Sequence, residues 1–192
     1  FPTRRSSDLE RSLLSALAVT AGITGYPMAE LLAENNCTLS IQEKAKQLTA
    51  SLAEHQLPSQ DGVHVLATVG SPDVVVLTGL ILGAASHRMA VVFDTAETGA
   101  AVLAAKCINE AVMDYVFPSV RTGEPVQAAQ MKYLGIKPHL FYGFEMDEAL
   151  GSTMGLSVLD AGMHMLNDMK TFGEASVNVA VDGPGSERQD GR

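Results

Sequence analysis

Apolar positions along the chain fall into alternating helical and extended spacings. Glu10 to Ile23 carries apolar residues at helical spacing and stops at Thr24-Gly25. Pro27 suits the opening turn of a short helix, Met28 to Ala33, and Asn35-Asn36 marks a turn. Ser40-Ile41-Gln42-Glu43 has the form of a capping box, so a helix through about Glu54 is expected, with Lys44 in its first turn. Pro58 to Gly62 reads as a loop. Val63 to Val69 is short, apolar and open to either helix or strand.

Asp73 to His87 places Leu77, Leu80, Ile81 and Ala84 at helical spacing, with Gly79 and Gly83 on one face, where another backbone could approach closely. Ala90-Val91-Val92-Phe93 is a continuous apolar run of the kind buried on both faces of a parallel sheet. Asp94 follows at its carboxyl end, and an alanine-rich helix runs to about Ile108. Another strand is expected within Met113 to Val120, then a helix from Val126 to Leu134 with Thr122 as its cap and Pro125 in its opening turn. Lys137 to Gly143 reads as a last extended segment. A long amphipathic helix begins at Ala149, with Met154, Val158, Met165 and Met169 as core filler on one stripe and Ser157, Asp160, His164 and Asn167 on the other. This order predicts a three-layer α/β fold, with a mainly parallel sheet flanked by helices in the Rossmann-like manner.

Composition narrows the class. Phe1 to Leu9, FPTRRSSDL, reads as one frame of a sequencing-adapter oligonucleotide and is set aside as a non-native scar. Residues 10–172 then form a single domain, the C-terminal part of a longer protein, and 173–192 a disordered tail rich in Gly, Ser and charge. With 46% hydrophobic residues the chain can bury one sizeable core, which must be aliphatic because Trp is absent and aromatics are 5%. The net charge of minus 9, with no basic stripe, argues against nucleic acid and against an anionic membrane surface. Val74 to Ala85 is far shorter than the roughly 18 to 20 apolar residues of a bilayer span. Cys37 and Cys107 have no metal-ligand or redox spacing, which fits reduced thiols in a cytoplasmic protein. Phosphate-binding, dinucleotide, nucleophile-elbow and zinc-helix motifs are missing, and the five histidines have no ligand spacing.

The candidate chemistry lies in Phe144-Glu145-Met146-Asp147-Glu148-Ala149-Leu150-Gly151, three carboxylates within four positions ahead of a long helix. Crowded acids repel, and one pushed toward apolar neighbours becomes basic enough to take a proton near neutral pH. The same acids would also simply complement the positive end of a helix. Asp94 holds a privileged place, since ligands of open parallel sheets sit beyond the carboxyl ends of the strands, although it could equally cap the next helix. The helix start after Pro125 could hold a phosphate or carboxylate, or be capped by the chain itself.

From about Lys44 to Phe172 the chain resembles, without gaps, the C-terminal half to two-thirds of the nicotinate-nucleotide:dimethylbenzimidazole phosphoribosyltransferase family, which makes the lower-ligand nucleotide of cobalamin. The resemblance rests on the strand ending in Asp94, the Arg121-Thr122-Gly123-Glu124-Pro125 turn, Leu134-Gly135 with Pro138, Gly143, Glu148 with Gly151, Leu159-Asp160-Ala161, and Met169-Lys170-Thr171-Phe172. It implies that Glu148 is the general base, Asp94 the strand-end aspartate, Thr122 the residue near the phosphoribosyl group and Lys44 the phosphate-binding lysine.

The implied reaction joins nicotinate mononucleotide to an aromatic base. Nicotinate leaves from a cationic pyridinium, so neither protonation of the leaving group nor a metal or cofactor is required. The incoming benzimidazole must shed a proton, which one carboxylate can accept. Phe141, Tyr142, Phe144 and Met146 are the neighbours expected to desolvate Glu148, with Met146 against the substrate. A homodimer is also implied.

The chain departs from the family at several places. Glu145 to Gly151 stands where the family has Arg-Leu-Gly-Glu-Gly-Thr-Gly, Ala33-Glu34-Asn35 where it has Gly-Thr-Gly, and Thr95 where it has glycine. The glycine-rich phosphate loop falls where the adapter sequence stands, so the fragment alone is expected to be inactive. The alternative is a non-catalytic ligand-binding or partner subunit that keeps the fold, favoured by the acidic Glu145 and Asp147.

Overall fold

The computed structural model describes residues 6–32, 39–138, 140–141 and 149–175. The chain divides into two units, Phe1–Leu156 and Ser157–Arg192.

The first unit opens with α1 (Ser6–Thr24), a short α2 (Met28–Leu31) and α3 (Leu39–Glu54). The predicted stop at Gly25 holds, with φ at 77° and its amide bonded to the Ala21 carbonyl at 2.9 Å. Helix α3 already begins at Leu39. Ser40 is therefore inside the helix rather than ahead of it, and Lys44 lies in the second turn instead of the first.

The ambiguous segment is helical: α4 (Gly62–Val69) is capped by Asp61, whose carboxylate accepts from the amides of Val63 and His64 at 3.0 Å each. Asp61 lies in the loop just upstream, so a cap signal was present where the short apolar run was indecisive. Helix α5 (Pro72–Ser86) follows with proline in its first turn.

Strand β1 (Val91–Phe93) and strand β2 (Val116–Pro118) pair in parallel, Val91 opposite Val116 and Phe93 opposite Pro118. The crossover between them is α6 (Ala96–Ile108) and a 3₁₀ helix, Glu110–Tyr115. That 3₁₀ helix takes the first part of the segment expected to be strand, because the Asn109 side chain accepts from the Ala111 amide and starts a turn. A parallel bridge between Val120 and Leu140 extends the sheet on the β2 side. Helices α7 (Pro125–Leu134) and α8 (Leu150–Asp168) complete the order. The helices and parallel pairing make this an α/β fold, as the spacing predicted.

The core is aliphatic and centres on α6, which packs against α1, α4, α5 and α7. Residues 100–105 are all fully buried, and the small side chains of Ala100, Ala101, Ala104 and Ala105 let neighbouring helices approach closely. In β1 only Phe93 is deeply buried, while Val91 and Val92 are half-buried, so the strand is less enclosed than its composition suggests. On α5 the Gly79 and Gly83 face is open, with Val76 and Leu80 exposed beside it and no described atom within 4 Å of a Cβ at either glycine.

In the second unit, α8 continues from Ser157, and His164 bonds Asp168 one turn on at 2.6 Å. Within this unit Met165 and Met169 are 62% and 64% exposed. Sequence periodicity assigns a face to a helix but cannot supply the surface that would cover it. No described helix is long and apolar enough to cross a membrane.

Candidate active site at the strand ends

Asp94 terminates β1 and is 6% exposed. It does not cap the helix that follows. Thr95 does so, through a reciprocal box in which the Thr98 amide donates to the Thr95 hydroxyl at 3.3 Å and the Thr95 amide to the Thr98 hydroxyl at 3.0 Å. The Asp94 carboxylate is thus free to accept from the amide of Ser152, in the first turn of α8, at 2.7 Å. Close approach is possible because residue 151 is glycine: a Cβ there would stand 2.9 Å from both Cβ and Oδ2 of Asp94. One turn later a Cβ on Gly155 would stand 2.5 Å from the Ser119 Cβ and 2.8 Å from Val92 Cγ1. The start of α8 therefore lies against the strand ends through a glycine-bearing face.

Thr122 has an exposed side chain in the turn between Val120 and α7. It is not the helix cap, since Glu124 occupies that position without a side-chain cap bond. The Thr122 amide instead donates to Oε1 of Gln127 at 2.9 Å, and Nε2 of the same carboxamide donates to the Asp94 carbonyl at 3.0 Å and the Val120 carbonyl at 2.8 Å. The structure thus brings Asp94, Thr122 and the amino end of α8 together. Gln127 was not singled out from the sequence, although a signal existed. Gln127, Gln130, Met131 and Leu134 share one stripe of α7, and glutamines at buried stripe positions must have bonding partners.

Glu124, beside Thr122, has its carboxyl pKa raised above the ordinary value by burial and then by the negative charge of Glu97 in the first turn of α6.

Lys44 lines a different part of the first unit, a cavity of about 720 Å³ walled also by Arg11, Gln47, Ser51, Thr68 and Ser71, and by neither Asp94 nor Thr122. Its volume is in the range of small-molecule pockets. Two cations and several hydroxyls suit an anionic group there. The Ser15 hydroxyl holds the wall together, donating to the Val69 carbonyl at 3.0 Å and accepting from the Ser71 amide at 2.6 Å.

Glu148 and Met146, with Glu145 and Asp147, lie outside the described residues, as do Tyr142 and Phe144. Phe141 is 74% exposed. Immediately after Glu148, Ala149 has φ at 62°, the left-handed region that favours glycine. Among the described residues no group of three or more His, Cys, Asp or Glu could hold a metal ion.

Polar groups gathered at the carboxyl ends of parallel strands, with a helix start against them, define an α/β domain, and open parallel sheets in general take ligands at that edge. The protein-family model described as Phosphoribosyltransferase matches residues 12–177, and the chain belongs to that family. It is 36% identical over 166 residues to the nicotinate-nucleotide–dimethylbenzimidazole phosphoribosyltransferase of Chloroflexus aggregans, covering 85% of this chain and 47% of that protein. The enzyme of the same name from Oleidesulfovibrio alaskensis is 36% identical over 82% of this chain and 43% of its own length. Among solved structures, CobT from Thermus thermophilus superposes with a TM-score of 0.77 at 25% identity, over 87% of this chain and 50% of CobT. The chain spans about half the length of the curated relatives it matches.

Proposed function

We propose that a full-length protein carrying this chain transfers the phosphoribosyl group of nicotinate mononucleotide to 5,6-dimethylbenzimidazole or a related aromatic base. The products are nicotinate and the α-ribazole 5'-phosphate of cobalamin biosynthesis. The observation that carries this reading is the similarity, over 85% of the chain, to enzymes whose name states both the nucleotide and the base.

In this reading Glu148 is the general base. The attacking nitrogen of the base displaces nicotinate from the anomeric carbon. As positive charge develops on the ring, Glu148 takes the proton from the second nitrogen. Attack from the face opposite the leaving group inverts the β-nucleotide to the α-product. Asp94 and Thr122 contact the substrate at the strand ends, and Met146 lies against it. Lys44 takes the 5'-phosphate in this reading on the family resemblance alone, since the cavity it lines with Arg11 includes neither Asp94 nor Thr122. The catalysis needs no metal and no cofactor. The protein is cytoplasmic and works as a homodimer, the assembly the family resemblance implies, which sedimentation equilibrium checks.

The deciding experiment measures nicotinate release from nicotinate mononucleotide by a full-length protein carrying this chain, with and without Glu148→Gln. The expected loss in kcat is about a hundredfold or more, the scale of a general base. A full-length protein that releases no nicotinate in the presence of dimethylbenzimidazole defeats the assignment.

A further inference from the structure

Gln127 is 2% exposed, and both ends of its carboxamide are bonded to main-chain groups of the site. Its two N–H donors reach the carbonyls of Asp94 at 3.0 Å and Val120 at 2.8 Å, and its oxygen accepts from the Thr122 amide at 2.9 Å. Two carbonyls and one amide fix which way the carboxamide faces. These groups belong to two segments: the end of β1, and the stretch that runs from the extension of β2 into the turn leading to α7. The last sheet bond is that of the Arg121 amide to the Leu140 carbonyl at 3.0 Å, and Gly123 then turns with φ at 83°. The Thr122 amide, one residue past that bond, is held by the Gln127 side chain.

We infer that Gln127 is a positioning residue for the phosphoribosyl-transfer site, holding the exposed Thr122 at a set distance from the strand end that carries Asp94. This rests on the function proposed above. A neighbouring side chain supplies the comparison. Gln130 is also buried on α7, but its Nε2 donates to the Thr20 hydroxyl at 2.9 Å and the Ala96 carbonyl at 2.8 Å. Gln130 thereby ties α7 to α1 and α6 rather than to the Thr122 turn, so shortening it tests bracing of the fold without loosening that turn.

The experiment compares Gln127→Asn, whose carboxamide is too short to span the three groups, with Gln130→Asn in a full-length protein carrying this chain. Hydrogen exchange at the Thr122 amide should speed by roughly tenfold or more in Gln127→Asn and remain unchanged in Gln130→Asn. The KM for nicotinate mononucleotide should rise about tenfold in Gln127→Asn with kcat within about threefold, since an interaction made equally in ground and transition states is lost. Gln130→Asn should lower the melting temperature with little change in KM.

Equal Thr122 exchange in wild type and Gln127→Asn overturns the inference, whether or not the protein is active. So does an active wild type whose KM is unmoved by Gln127→Asn, or moved equally by Gln130→Asn. A wild type that turns over no nicotinate mononucleotide instead overturns the proposed function, and the inference with it. Should Gln127→Asn fail to fold, Thr122→Ala in the wild-type background gives the decision: an unchanged KM removes any need to position that residue.

Discussion

The carboxylate of Asp94 accepts a 2.7 Å hydrogen bond from the Ser152 amide and so closes 58 residues of chain between the end of β1 and the first turn of α8. A helix start leaves amides without intrahelical partners, and a carboxylate both satisfies one of them and complements the positive end of the helix. Asp94→Ala should therefore destabilise the protein by about 1–2 kcal/mol, the usual cost of losing a helix cap. Urea denaturation followed by circular dichroism measures it. A midpoint equal to wild type would show that the bond contributes nothing to stability.

Two glycines of α8 should answer the same substitution with opposite signs. Gly155→Ala puts a methyl 2.5 Å from the Ser119 Cβ, so it should cost about 1–3 kcal/mol despite the better helix former. At Gly162 no described atom stands within 4 Å of a Cβ, and alanine there should add about 0.5–1 kcal/mol of helix stability. Thermal melts of the two variants would show the contrast, and stabilisation by both would contradict the close contact at Gly155.

Ala149 holds a left-handed conformation, with φ at 62°, at the entrance to α8. The resembling family has glycine at this position of its Arg-Leu-Gly-Glu-Gly-Thr-Gly sequence, and the positive φ gives the physical reason. Ala149→Gly should stabilise the protein by about 1 kcal/mol, because the Cβ clash of the left-handed region is removed at some entropic cost. The same urea titration serves, and a lower midpoint would count against the strained geometry.

Glu124 makes stability depend on pH. Its folded pKa is raised by burial and then by Glu97, so the native state keeps the proton to a higher pH than the unfolded chain does. Its destabilising effect is absent below the ordinary value of 4.5 and grows as pH rises through the folded pKa. Glu124→Gln should accordingly gain in melting temperature relative to wild type on going from about pH 4 to about pH 7. A difference that stays level across that range, or shrinks, would contradict the burial of this carboxyl.

How far the sequence could be read depended on the range of the interaction. Helices α1, α5, α6 and α7 were legible because their signals are local: apolar residues at helical spacing, Gly25 as a stop, and Pro125 in an opening turn. The apolar run before Asp94 was enough to place a strand and put the acid at its end. Family resemblance supplied the expected roles of Glu148, Lys44 and Thr122, which no spacing rule could have assigned.

Tertiary structure decided which groups those residues meet. Asp94 does not cap the next helix, because Thr95 caps α6, and its carboxylate meets the Ser152 amide instead, where Gly151 admits α8 at contact distance. Gln127 looked like any polar residue of an amphipathic helix until its carboxamide was seen to join the turn before α7 to the distant end of β1. Periodicity likewise pointed Met165 and Met169 inward, and within their own unit both are exposed. Local propensity follows from bonds between residues three or four apart, which the sequence itself carries. Contacts between residues tens of positions apart exist only after elements pack, because their free energy comes from burying surface and pairing polar groups that are neighbours solely in the folded state.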